Sequence, residues 1–302
     1  MRRARAALAV AAAMLATAGA LAESVRITAR FPADYREASF LKRIGVGRID
    51  GQDGRALEFA LERALQARGH FNVVALNRDA SIDGIVSGLV TTEIDESRFN
   101  RQRDECVEKK DGKCVKTERI DETCRRRTIE VLADLRITND RAGRIVYASR
   151  KPRRDEVSWC PNESAPGPVE GVIRGMIDDI AAEVARETAP HTETYAPRFY
   201  ESRDAMDKEL GDRFRAAIKA TQRDLAGACA ELMAMDQATP HFALAYDAGL
   251  CAEARGDYEA ALAAYGRARD LRPRDAGDFN AGIERVRKLI VQRDDERAAA
   301  PR

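Results

Sequence analysis

Histidine is scarce in this chain, with only His70, His191 and His241 among 302 residues. None stands with a serine, cysteine or aspartate in a nucleophilic motif, so triad-type hydrolysis has no footing in the sequence, and all three read as surface or packing residues. Cys-x-x-Cys is missing, which removes a thiol–disulfide oxidoreductase. The dinucleotide fingerprint fails as well, because Gly45 and Gly47 are followed by Asp50 where a third glycine is needed. Beyond residue 22 no apolar run approaches the ~20 residues of a membrane span. Neither sign of charge dominates, at 51 Lys and Arg against 50 Asp and Glu, so nucleic acid is not an expected partner. These absences lead to the expectation of a protein that is not an enzyme and holds no cofactor or metal.

What is present begins with an export signal. Arg2, Arg3 and Arg5 precede an apolar run from Ala6 to Leu21 that ends in Ala20-Leu21-Ala22, the small-x-small pattern of a signal-peptidase site. Cleavage after Ala22 leaves Glu23 first rather than a cysteine, which closes the lipid-anchored route. Removing residues 1–22, with three arginines and no acid, takes the net charge from +1 to −2. The expected location is the bacterial periplasm, and the competing reading is an uncleaved anchor.

Residues 23–190 mix strands with two helices. Val25, Ile27 and Ala29 alternate with polar residues, and Phe40 to Ile49 reads as a second strand. Leu57, Leu61, Ala64 and Leu65 fall at helical spacing before Gly69. Phe71 to Leu76 and Ile82 to Thr92 are extended, and the densely charged segment 93–123 carries Asp111-Gly112 as a hairpin tip. The clearest strand runs from Thr128 to Thr138, turns at Asn139 to Gly143 and returns over Arg144 to Arg150. Val169 to Glu187 forms the second helix, with Val172, Ile173, Met176, Ile177, Ile180, Ala181 and Val184 on one stripe.

The fold class expected is α+β, a mixed or antiparallel sheet with two helices packed on it, followed by an all-α region. Residues 191–202 read as a linker and 203–302 as helices. Between Arg98 and Arg154, Lys and Arg outnumber Asp and Glu by 18 to 10. Arg125, Arg126 and Arg127 are the candidate basic surface for an anionic partner, weighed against a merely solvated face.

Six cysteines in an exported chain point to disulfides. Continuing the pairing outward from the Asn139–Gly143 turn sets Cys124 opposite Cys160, and Cys106 and Cys114 flank the Asp111-Gly112 tip. Cys229 and Cys251 remain for each other. The alternative is a zinc site from Cys106, Cys114, Cys124 and Cys160, whose spacings lack the short Cys-x₂₋₄-Cys of structural zinc. Trp159 is expected against the disulfide beside it.

Two resemblances follow from these residues. Ile44-Gly45-Val46-Gly47-Arg48, Leu57 to Gly69, Phe71-Asn72-Val73-Val74, Ala80 to Gly88, Val131 to Ile137 and Gly143-Arg144-Ile145-Val146 together resemble the periplasmic domain of the curli secretion channel lipoprotein (CsgG-like). The pattern is also similar to penicillin-binding-protein activator lipoproteins and to the amino-terminal domain of TolB. It implies an α/β fold used in envelope assembly. Unlike the curli channel, this chain has no apolar alternating hairpin in 93–123, so a pore is not expected.

Gly249, Gly256, Tyr258, Ala261, Tyr265, Ala268 and Pro273 resemble a tetratricopeptide repeat, with Ala245 and Ala252 where that repeat carries larger residues. Asp224, Leu225, Ala228, Leu232 and Pro240 repeat the pattern at an offset of 33 residues. A helix over Phe279 to Gln292, striped by Ile283, Val286, Leu289 and Ile290, would cap the stack. The resemblances imply an adaptor that binds protein partners in the cell envelope, with no stable membrane span. A regulator meeting a cell-wall enzyme or an anionic surface through a basic insertion is the alternative, and a hydrolase the remaining one.

Overall fold

A computed structural model describes residues 23–76 and 81–299. The expected signal segment lies outside the described residues. The chain divides into two units: residues 30–192 form one, and the segment before Arg30 joins Glu193 onward in the other. Residues 23–29, assigned by sequence to the first unit, therefore belong with the helices.

The chain opens with strand β1 (Ile27–Phe31) and a single turn α1 (Arg36–Ser39). Strand β2 (Arg43–Asp50), helix α2 (Gly54–Ala67) and the short β3 (Asn72–Val73) follow. The strand expected from Phe40 starts later because Phe40 ends α1, 52% exposed, with the Arg36 guanidinium over its ring. Next come β4 (Gly84–Lys110), β5 (Lys113–Asn139), β6 (Arg144–Trp159), α3 (Val169–Thr188) and β7 (His191–Tyr195).

The main sheet has the order β3-β2-β4-β5-β6. β2 pairs in parallel with β3 and with β4, whereas β4, β5 and β6 are antiparallel. Helix α2 supplies the long connection that the parallel β2–β3 pair requires. One face of the sheet is covered by α2 and α3. Ile44, Leu57, Leu61, Leu65, Ile129, Ile137, Ile177 and Ile180 fill that layer, each at most 2% exposed. In α2 the buried leucines recur every four residues, so one helix stripe meets alternate residues of the strands.

The central finding about the strands is their length. β4 and β5 each run 27 residues, in register from Gly84 opposite Asn139 to Lys110 opposite Lys113. The strands expected over Ile82 to Thr92 and Thr128 to Thr138 are only their inner parts. β6 likewise continues past Arg150 to Trp159. Beyond the core both faces of a ribbon are wet, so the apolar alternation that marks a strand disappears while the hydrogen-bonded pairing continues.

β1 pairs with β7 in a separate two-stranded sheet, so the expected linker 191–202 begins as a strand. The helical unit contains α4 (Lys208–Ala220), α5 (Leu225–Ala238), α6 (Phe242–Ala254), α7 (Tyr258–Leu271), a 3₁₀ turn (Pro273–Asp275) and α8 (Ala276–Ala299). Asp207, Asp224 and Asp257 cap α4, α5 and α7, each side chain accepting from a backbone N–H three residues on. Helix α6 is buried from Phe242 to Glu253, as a helix apolar on all sides must be. On α8 the buried stripe is Phe279, Ile283, Val286, Leu289 and Gln292, while Ile290 is only half-buried.

Candidate functional site

The ribbon formed by β4 and β5 leaves the rest of the sheet where β6 ends, at Trp159 opposite Arg125. From Asn100 and Thr123 outward it continues as a two-stranded arm, roughly 35 Å long at the usual rise of a strand. Asp111 (φ 50°) and Gly112 (φ 75°) close its tip. Two consecutive left-handed residues make the turn whose twist matches the flanking strands.

The arm is stapled twice. Cys124 is bonded to Cys160, with Cα atoms 4.2 Å apart, and Cys106 to Cys114 near the tip, with Cα atoms 5.8 Å apart. At the base, Arg101 donates to Glu122 Oε1 (2.8 Å) and to Glu163 Oε1 (2.8 Å), and Arg103 donates from Nε to Glu122 Oε2 (3.1 Å). Glu163 also accepts from the Cys160 N–H at 2.9 Å, and the Arg101 bond holds its carboxyl below the usual carboxylate range. Glu122 lies close to the sulfurs of Cys124 and Cys160, but those sulfurs are bonded to each other and offer no thiolate to a metal. Valines 107 and 115, in the irregular stretch beside the tip disulfide, are 47% and 54% exposed.

Arg125, Arg126 and Arg127 do not make one basic surface. Successive residues of a strand face opposite ways, so Arg126 points away from the other two. It pairs with Glu156 at 3.4 Å and lies over the Phe99 ring. Arg127 is buried and donates to the Gly167 carbonyl at 3.0 Å. Arg125 alone of the three is exposed without such a contact.

The insertion itself is not basic, since residues 93–123 hold eight Lys and Arg against ten Asp and Glu. The basic excess sits in β5 and β6, where acids meet it. Arg154 pairs with Glu130 and Glu156, and Arg153 with Glu183. Lys151 donates to Glu183 (3.1 Å) and Glu187 (2.6 Å) of α3, and Tyr147 donates to Glu187 at 2.9 Å.

In the helical unit Cys229 of α5 is bonded to Cys251 of α6. The residues that suggested a repeat converge on Tyr265. Its ring is fully buried, and a Cβ placed on Gly249 or Gly282 would stand 2.7 or 3.0 Å from it. Only glycine lets α6 and α8 approach that ring. Ala261 and Ala268 are buried on the same helix, Gly256 turns the chain at φ +77°, Tyr258 is half-buried beneath Arg293, and Pro273 opens the 3₁₀ turn. The offset of 33 residues brings equivalent parts together: Asp224 and Asp257 are both N-caps, and Leu232 and Tyr265 are both fully buried.

Sequence reasoning missed the polar centre of this unit. Glu253, on α6, accepts from Tyr195 (2.6 Å), Tyr265 (2.5 Å) and both Nε (2.6 Å) and Nη2 (2.7 Å) of Arg285. Arg285 also lies over the Tyr195 ring. Asp247, fully buried one face away, accepts from the Tyr200 N–H at 2.7 Å, and its Oδ2 has no partner. Burial pushes its carboxyl well above the ordinary range. The signal was an acid in the otherwise apolar run Phe242 to Ala254. The histidines are packing residues: His70 and His241 lie 2.7 Å from the carbonyls of Ser39 and Asp204, and His191 stacks near Phe31.

No helix among the described residues is long and apolar enough to cross a membrane. All six cysteines are bonded, the state of a chain folded in an oxidising compartment. No protein-family profile and no characterised protein matches the chain by sequence. Among solved structures it is similar to a minor lipoprotein of Acinetobacter baumannii, at 16% identity over 49% of this chain and 90% of that one, with a TM-score of 0.25. It is also similar to the PelC dodecamer of Paraburkholderia phytofirmans, at 13% identity over 55% and 99% of the two chains, with a TM-score of 0.28. At these TM-scores neither likeness assigns a function.

Proposed function

We propose that this chain is a non-enzymatic periplasmic adaptor in envelope assembly, exported through a cleaved signal peptide, with a CsgG-like unit and a short tetratricopeptide-like unit each meeting protein partners. The observation that carries this reading is the arm. An isolated two-stranded ribbon is marginal in water, and here one buries no core, projects past its sheet and is cross-linked at base and tip. Such an arm contributes little to the stability of its own unit. Its use is to present a fixed surface, with Val107 and Val115 exposed at the end, to another molecule.

The test is in-cell crosslinking of the tagged, processed chain followed by mass spectrometry. A companion variant replaces residues 100–123 by Asn-Gly, which shortens the arm to its base. The same partner captured by the full chain and lost from the short-armed one supports the reading. A partner retained by the short-armed chain moves the docking surface to the helices, and no partner with either chain overturns the adaptor. The helices are not tested by truncation after Pro190, since that would strip β7 from β1 and remove the Pro197 carbonyl that accepts from the Val25 N–H.

A further inference from the structure

The helical unit includes residues 23–29, and it holds the first of them by more than packing. The Phe199 N–H donates to the Glu23 carbonyl at 2.9 Å, and the Val25 N–H to the Pro197 carbonyl at 3.1 Å. Ser24 thereby forms an antiparallel bridge with Arg198. The Val25 side chain is buried, so the segment is anchored two residues behind Glu23. The Glu23 carboxylate accepts from the side-chain amide of Gln222, between α4 and α5.

One further contact of Glu23 changes in kind when the chain is processed. Its backbone N–H donates to Glu201 Oε1 at 3.3 Å. With the Ala22–Glu23 bond intact that nitrogen is a neutral amide with one donor. Hydrolysis of the bond adds water across it, leaving a carboxylate on Ala22 and an ammonium on Glu23. The ammonium has three N–H donors and a full charge, and a hydrogen bond between ionised partners is stronger than one from an amide.

We infer that the helical unit captures the amino terminus made by signal cleavage: the Glu23 ammonium pairs with Glu201, and processing thereby fastens residues 23–25 to 197–201. Capture of a free terminal amine is a recurrent mode of recognition. The inference rests on the export part of the reading above and involves neither the arm nor a partner protein.

Several other charges face the new terminus. Its own carboxylate is tied to Gln222. Arg203, Arg215 and Lys219 stand on the cavity wall shared by Glu23 and Glu201, and Arg198 lies opposite Ser24. These cations oppose the ammonium, so capture is measured by the change on neutralising Glu201. A terminal amine ordinarily titrates at about 7.7–8.0. An adjoining carboxylate favours its charged form, so the pair is fully present below that range and is lost as pH rises through the folded value.

The experiment starts from the exported chain, whose intact mass and amino-terminal sequence show where it begins. The chain beginning at Glu23 is labelled with nitrogen-15 glutamate and its terminal amine titrated by NMR, beside the variant Glu201→Gln. That substitution keeps an acceptor oxygen and removes the charge, and Glu201 is exposed, so the core is untouched. The expected result is a loss of about two- to fivefold in the proton affinity of the amine, as an exposed ion pair supports. In a chain extended by Gly-Ser before Glu23, the Phe199 amide is expected to exchange with solvent faster by a similar factor. An amine that titrates alike with and without Glu201 overturns the capture and leaves export standing. Equal exchange of Phe199 in the processed and extended chains overturns the fastening. A first residue other than Glu23 overturns the cleavage reading and this inference together.

Discussion

The arm and the helical stack both carry disulfides, but the bonds answer different needs. Cys229 and Cys251 join α5 to α6 inside a core that already buries Leu232, Leu250, Tyr265 and Phe279. Cys106 and Cys114 join two strands that have no core beside them. In the helices the cross-link adds to packing. In the arm it stands in for packing, helped by the Arg101–Glu122–Glu163 network at the base. Loop-closure entropy stabilises both in the same currency, yet only in the helices does that gain reach the cooperative fold of a whole unit.

The sharpest way to break the comparison is to remove packing from the helical unit. Tyr265→Ala is expected to destabilise it by about 3–5 kcal/mol, because it opens a cavity between Gly249 and Gly282 that helices cannot easily close. Hydrogen exchange of α6 and α7 amides measures this, with the sheet unit as internal reference. Glu253→Leu comes next, at about 3 kcal/mol, since Arg285 and two tyrosine hydroxyls lose their acceptor. Thermal unfolding that shows less than 1 kcal/mol of loss would mean the network is relaxed by water.

Replacing Cys229 and Cys251 together by alanine is expected to cost the helical unit about 2–4 kcal/mol. The matching replacement of Cys106 and Cys114 should leave both unfolding transitions in place while making the arm a preferred protease site. Limited proteolysis with mass mapping separates the two. If the arm pair lowered the sheet unit's melting as much as the helix pair lowers its own, the contrast between the regions would be gone.

The smallest effect concerns Asp247. Its folded pKa is raised by burial, so the stabilising, protonated form is fully present below the ordinary carboxylate range and is lost as pH rises through the folded value. Helical-unit stability should therefore fall with rising pH above the ordinary range. Asp247→Asn keeps an acceptor for the Tyr200 N–H and is expected to flatten that slope. Denaturant melts at several pH values test the sign, and a slope that survives the substitution would assign it to another group.

Much of this was legible in the residues. The α2 and α3 stripes, the Asp111-Gly112 tip and the three cysteine pairs follow from periodicity, turn chemistry and register, which are local or nearly local rules. The extent of β4 and β5 was not legible, because outside the core their side chains alternate in nothing but charge. The basic surface was misjudged for a related reason. A run such as Arg125-Arg126-Arg127 is contiguous in sequence but divided by the strand period, and Arg127 turns inward, where its Nη2 donates to a carbonyl forty residues away while its Nε has no partner.

By itself the sequence determined where helices and core strands lie, which cysteines could meet and where the helical unit repeats, because each depends on spacing along one chain. Tertiary structure alone decided that residues 23–29 join the helices, and that Glu253 gathers Tyr195, Tyr265 and Arg285. Those arrangements depend on which distant segments share a volume, and hydrophobic burial chooses that volume without regard to distance along the chain.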